Sequence, residues 1–187
     1  SNDSKKKNKC TWISNVRNMA SLIGERINGK EIMVYNFCTN HLEGDQMSEK
    51  YHLYHKKYVG PYKGKHKLEK RVDANIKLIE QLIGMGVPKK QIIITGHSCG
   101  GLVTLMLFAK YPNAAGGGIS FNQACFGKIS KKEKAAKVGP EAALDSFKKR
   151  RPGPSVVRQL QIDEIKSSKN LPLLAFTHPK DSYEGLL

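Results

Sequence analysis

Residues 91–102 read QIIITGHSCGGL. Ile92, Ile93, Ile94 and Thr95 form a β-branched run, the composition of a buried strand. Gly96-His97-Ser98-Cys99-Gly100 follows as a G-x-S-x-G pentapeptide, and Leu102 to Ala109 is apolar and long enough for a helix. Strand, glycine-flanked serine and helix in that order predict a nucleophile elbow, a sharp turn that presents a serine hydroxyl at the end of a sheet. Ser98 is then the candidate nucleophile, once a base removes its proton. The backbone N–H of Cys99 is the candidate oxyanion donor, at the positive end of the following helix. Both flanking glycines are expected to be required, because side chains at 96 and 100 would meet the neighbouring strand and helix. An idle serine in a glycine-rich turn is the alternative, and the flanking elements weigh against it.

Outward from this stretch, apolar residues recur at helical spacing in two places. Trp12, Val16, Met19, Ala20, Ile23 and Ile27 predict an amphipathic helix over 12–27, with Asn28-Gly29 as its stop. Leu68, Val72, Ile76, Ile79 and Ile83 predict a second, closed by Gly84 and Gly86. Glu31 to Phe37 reads as a buried strand, and 38–64 as a long polar loop of the kind that forms rims or lids. Beyond the elbow helix, Ile119 to Phe121 and Leu171 to Thr177 read as strands. Residues 126–169 form an insertion with a helix at 141–150 and a break at Pro152-Gly153-Pro154. Alternation of this kind predicts an α/β fold, a three-layer α/β/α sandwich with a mainly parallel sheet and helices on both faces. The whole chain, 1–187, is expected to be one domain.

Elbow and element order together make the chain resemble the α/β-hydrolase superfamily, more loosely its dienelactone hydrolase-like or serine esterase branch. The resemblance covers residues 12 to 187 and implies that 91–95 is the family's fifth strand, 31–37 its fourth, 119–121 its sixth and 171–177 its seventh. The insertion at 126–169 falls where the family places a lid or cap. The family's triad acid follows the seventh strand, where this chain reads His178-Pro179-Lys180-Asp181. Asp181 is therefore the implied acid, 83 residues (181 − 98) beyond the serine. The family's triad histidine follows an eighth strand, and this chain ends six residues (187 − 181) past Asp181. The fold is thus expected to be truncated at both ends, with the 187-residue chain catalytically deficient and its base not identifiable. Of the six histidines, His97 and His178 are expected to pack, and His52, His55 and His66 lack zinc spacing, so no metal and no cofactor are predicted.

The implied activity is serine hydrolysis of a small-molecule carboxylic ester or related acyl compound. The alternative is a non-catalytic basic binding or scaffold protein that retains a hydrolase core. Charge keeps that alternative in view. Lys and Arg number 32 against 16 Asp and Glu, a net +16, which admits an anionic surface or polyanion as partner. Lys128 to Arg151 holds nine basic residues and three acids, but no aromatic interleaved for base stacking, so a lysine-rich solvated surface is the favoured reading. No apolar run reaches the length of a membrane span. Cys10, Cys38, Cys99 and Cys125 show no C-x-x-C spacing and are expected to be reduced, buried thiols.

Overall fold

The computed structural model describes residues 19–37 and 67–185, and the chain divides into two compact units, Ser1–Asp45 and Gln46–Leu187. In the first unit a 3-10 turn at Ala20–Leu22 precedes an antiparallel pair, β1 (Arg26–Ile27) and β2 (Lys30–Glu31). Asn28 (φ 50°) and Gly29 (φ 76°) form the turn between them. Positive φ at both central residues is the type I′ geometry, whose twist matches that of the flanking strands. Backbone bonds from Gly24 N–H to Ile32 O (3.1 Å) and from Ile32 N–H to Glu25 O (2.8 Å) extend the ladder.

Two expectations are corrected here. Residues 20–27 are not the end of an amphipathic helix, and 31–37 is not a buried strand: the strand is Lys30–Glu31, its ladder ends at Ile32, and Met33 and Tyr35 are exposed. Asn-Gly is a hairpin signal as well as a helix stop, and the hairpin recruits both flanks. The 12–18 part of the expected helix and the 38–64 loop lie outside the described residues, as does the lysine run of the first ten residues.

The second unit opens with α1 (Lys67–Gly84). Leu68, Val72 and Ile79 are buried on its inner face, as the spacing predicts. Its end is a Schellman turn: Val87 N–H donates to Leu82 O (3.0 Å), Gly86 N–H donates to Ile83 O (2.9 Å), and Gly86 holds φ 92°. The chain then forms β3 (Ile93–His97), α2 (Cys99–Lys110) and β4 (Gly117–Phe121). Four helices fill the insertion where one is expected: α3 (Ile129–Lys132), α4 (Ala135–Val138), α5 (Pro140–Arg150) and α6 (Pro152–Ser167). The proline-rich break is a single residue, Arg151, because Pro152 at the first helical position starts a helix as readily as it stops one. Finally β5 (Leu173–Phe176) completes a three-stranded parallel sheet in the order β3-β4-β5.

Helix α2 lies on this sheet, and α1 and α6 pack on α2. The core is built around Leu102, Met106, Leu107 and Phe108. A glycine at 118 makes the close approach possible, since a Cβ there would stand 3.0 Å or less from Thr104 Cγ2 and the Phe108 ring. The register His97–Phe121–Phe176 puts the three strand ends level, so the loops that follow them share one edge. This parallel sheet with its helices makes the fold an α/β fold. Among the described residues no helix is long and apolar enough to cross a membrane.

Candidate functional site

Ser98 follows β3 directly and is the residue before α2. Its backbone lies at φ 55° and ψ −122°, a region that an L-residue occupies only when its surroundings impose it. Those surroundings are visible. Ser98 N–H donates to Phe121 O (3.0 Å), and Ser98 O accepts from Leu102 N–H (3.1 Å) and Ala124 N–H (3.3 Å). The hydroxyl donates to Ala124 O at 3.1 Å. Chain segments on both sides of the turn are thus tied to the end of β4 and the loop after it. The N–H groups of Cys99 and Gly100, in the first turn of α2, have no acceptor within the helix, and the helix dipole places partial positive charge there.

The glycines divide differently from the expectation. A Cβ on Gly96 would run into the Gly100 carbonyl and Thr104 Oγ1, so glycine is required there. A Cβ on Gly100 meets no described atom within 4 Å, which corrects the expected collision at that position. The tight position is the next one: a Cβ on Gly101 would stand 2.9 Å from both Phe121 O and Ser120 Oγ. The fully buried Ser120 hydroxyl sits 3.1 Å from Gly101 O, fixing how closely α2 approaches β4. The pentapeptide ends one residue short of the glycine that packing needs.

Cys99 is disulfide-bonded to Cys125, with Cα atoms 4.5 Å apart. This corrects the expectation of reduced thiols for these two residues; Cys10 and Cys38 lie outside the described residues. The partners are 26 residues apart. Only the parallel pairing of β3 with β4 brings the elbow and the post-β4 loop together, so sequence spacing carries no sign of it. The Cys99 side chain is committed to sulfur bonding, leaving its backbone N–H as its available polar group at the elbow.

Asp181 lies in the loop after β5, on the same sheet edge as Ser98 with β4 between them. Two strand spacings amount to about 10 Å at the backbone. The Asp181 carboxylate accepts from Tyr183 N–H (2.9 Å), and its backbone N–H donates to His178 O (2.8 Å). His178 is exposed, and its Nδ1 accepts from Lys180 N–H (3.1 Å). His97 lies on the sheet face turned away from α2 and is exposed. His41, His52, His55 and His66 lie outside the described residues. The Ser98 hydroxyl bonds a carbonyl, and Ser98, Cys99 and Asp181 share one edge with no imidazole between them among the described residues.

Residues that the sequence reading did not single out complete this edge. Glu184 accepts from the Cys125 N–H through Oε1 (3.3 Å) and from Arg158 Nε through Oε2 (2.9 Å), with both charged side chains about one-tenth exposed. Burying an ion pair is costly, and here the Glu184 carboxylate gains a second bond, from the Cys125 N–H, beside the pair itself. A cavity of about 280 Å³ adjoins it, lined by Leu102, Leu105, Ile162 and Ile165 with Arg158 and Asp181. The larger hollow, about 600 Å³, is an open depression on α5 that includes none of the elbow residues. Glu133, in the turn after α3, accepts from Ser146 Oγ (2.5 Å) and from Arg150. Burial pushes its carboxyl up, and those two bonds with the charges of Arg150 and Arg151 outweigh that, leaving it below its ordinary value. Among the described residues there is no group of three or more metal-ligating side chains.

A profile of the phospholipase/carboxylesterase family of the α/β-hydrolases matches residues 40–144, more than half of the chain. The match spans β3, the elbow, β4 and the first part of the insertion, and ends before Asp181. No curated protein and no solved structure matches the chain.

Proposed function

This chain belongs to the phospholipase/carboxylesterase family, an esterase-type hydrolase family acting on small molecules, and from that premise we propose that it is a serine hydrolase of carboxylic esters or related acyl compounds. The observation that carries this reading is the Ser98 backbone at φ 55°, ψ −122° between a parallel strand and a helix. Strain of this kind costs about 1–3 kcal/mol and is kept where geometry at that residue matters. Ser98 Oγ adds to the ester carbonyl carbon while its proton passes to a base. The carbonyl oxygen becomes an oxyanion, which accepts from the Cys99 N–H at the head of α2. Collapse expels the alcohol, and water releases the acid from the serine ester by the same steps. Asp181, on the same sheet edge, is the group that would orient an imidazole base. The insertion at 126–169 would then serve as the lid or cap of that site.

A fluorophosphonate probe tests this reading, because it traps an activated serine. Labelling at Ser98, lost in Ser98→Ala, is the expected result in a form of the protein that supplies the imidazole base, together with Ser98-dependent turnover of a short-chain p-nitrophenyl ester; residues 1–187 alone are expected to turn the ester over only weakly. No labelling, combined with a salt-dependent affinity for a polyanion, would overturn it in favour of a basic binding protein that retains a hydrolase core.

A further inference from the structure

We propose that Cys125 is a positioning residue for this hydrolysis: its disulfide to Cys99 fixes the first turn of α2, and with it the N–H that receives the oxyanion. The inference rests on the reading of Ser98 as nucleophile. Its physical basis is the weakness of that first turn. Cys99-Gly100-Gly101 places two glycines, the poorest helix formers after proline, in the first turn. Ser98, the N-cap residue, makes no side-chain capping bond; its backbone lies outside the extended region that N-caps use, and its hydroxyl donates to Ala124 O. Its own backbone is strained. A helix start with a strained cap, no capping hydroxyl and two glycines frays unless something outside it holds it.

The disulfide supplies that hold, and its far end is anchored. Ala124, Cys125 and Phe126 are all buried. The Cys125 N–H is bonded to Glu184, which Arg158 fixes in turn. Alongside the disulfide, Ser98 and Ala124 exchange two hydrogen bonds, hydroxyl to carbonyl and amide N–H to carbonyl. The elbow and the post-β4 loop are thus joined by one covalent and two polar links within two residues of chain. Breaking the disulfide leaves the parallel sheet and the core of α2 intact but frees the turn that carries the oxyanion donor.

The test uses the full chain, oxidised and then treated with dithiothreitol. The dithiol gives two electrons to the Cys99–Cys125 disulfide, yields two thiols and is itself oxidised to a cyclic disulfide. Peptide mapping without reductant is expected to recover the 99–125 crosslink, and its absence overturns the proposal. Reduction, or Cys125→Ala, is expected to speed amide exchange over 99–102 about ten-fold while β4 and α1 keep their protection. Turnover of the p-nitrophenyl ester is expected to lose about ten-fold or more in kcat, with KM within about two-fold, since one lost oxyanion donor costs roughly 10²–10³ and this one is loosened rather than removed. Reoxidation restores the rate. Ser98-dependent turnover with the same kcat in both redox states overturns this proposal and leaves the hydrolase reading standing. No Ser98-dependent turnover in either state overturns both. Loss of protection in β4 as well would show that the disulfide holds the fold rather than the turn, and also overturns it.

Discussion

Asn28 and Ser98, two of the five non-glycine residues at positive φ among the described residues, hold it for opposite reasons. At Asn28-Gly29 the residues themselves favour the left-handed region, the turn links two exposed strands, and local bonds such as Arg26 Nη2 to Gly29 O (2.6 Å) are enough to describe it. At Ser98 the residue has no such preference. Its conformation is imposed by Phe121, Ala124 and the Cys99–Cys125 disulfide, all distant in sequence. The first turn is a local preference expressed; the second is a local preference overruled. A third, Lys134 at φ 54° and ψ 40°, lies between them: lysine gains nothing from that region, and the adjoining Glu133 is tied to Ser146 and Arg150.

The sharpest way to break this contrast is Ser98→Gly. It is expected to abolish ester turnover, by about 10³-fold or more, while raising stability by about 1 kcal/mol as the strain is relieved. Denaturant unfolding beside the esterase assay reads both, and a loss of stability would show that the backbone there is not strained. Next in size is the glycine series. Gly101→Ala is expected to cost about 1–3 kcal/mol, because the backbone of β4 cannot yield. Gly100→Ala should gain up to about 1 kcal/mol from helix propensity. Equal effects at the two positions, measured by thermal unfolding, would contradict the packing described for Gly101.

Glu133→Gln is expected to lower stability by about 1–2 kcal/mol at neutral pH, through loss of charge-assisted bonds to Ser146 and Arg150. The pH dependence follows from its direction. The folded-state value is depressed, so the contribution is fully present above the ordinary carboxylate value of 4.5 and is lost as pH falls through the lower folded-state value. Wild type and Glu133→Gln should therefore converge in stability at acid pH; a constant difference between them would remove the ionised carboxylate from the account. The smallest effect belongs to the hairpin. Gly29→Ala places a side chain at φ 76° and is expected to cost about 1 kcal/mol, speeding exchange of the Ile32 amide about five-fold without moving the unfolding transition of the sheet. No change at Ile32 would mean that the turn is not set by its own residues.

The Asn-Gly signal was present in the sequence and was outweighed by the apolar periodicity of 12–27, which suggests a helix running into it. Periodicity counts apolar positions and is blind to which of them find a core. The α1 pattern reads correctly because Leu68, Val72 and Ile79 do find one. The insertion resolves into four helices rather than one because α3 and α4 are single turns, too short for any periodic pattern, and because Pro152 opens α6 instead of marking a break.

The elbow shows the division most clearly. A β-branched run, a G-x-S-x-G turn and an apolar helix lie within twenty residues of one another, where backbone preference and side-chain pattern act directly. The sequence therefore determined the strand, the turn, the helix and the α/β class that follows from them. Which glycine is indispensable, which cysteines pair and what holds the strained serine were decided by tertiary structure. Gly101 meets Phe121, Cys99 meets Cys125 and Cys125 meets Glu184 across separations of 20 to 59 residues. Such contacts depend on parallel pairing of β3, β4 and β5 and on the register His97–Phe121–Phe176, and these arise from packing of the whole sheet against α2 rather than from any local preference of the residues that end up in contact.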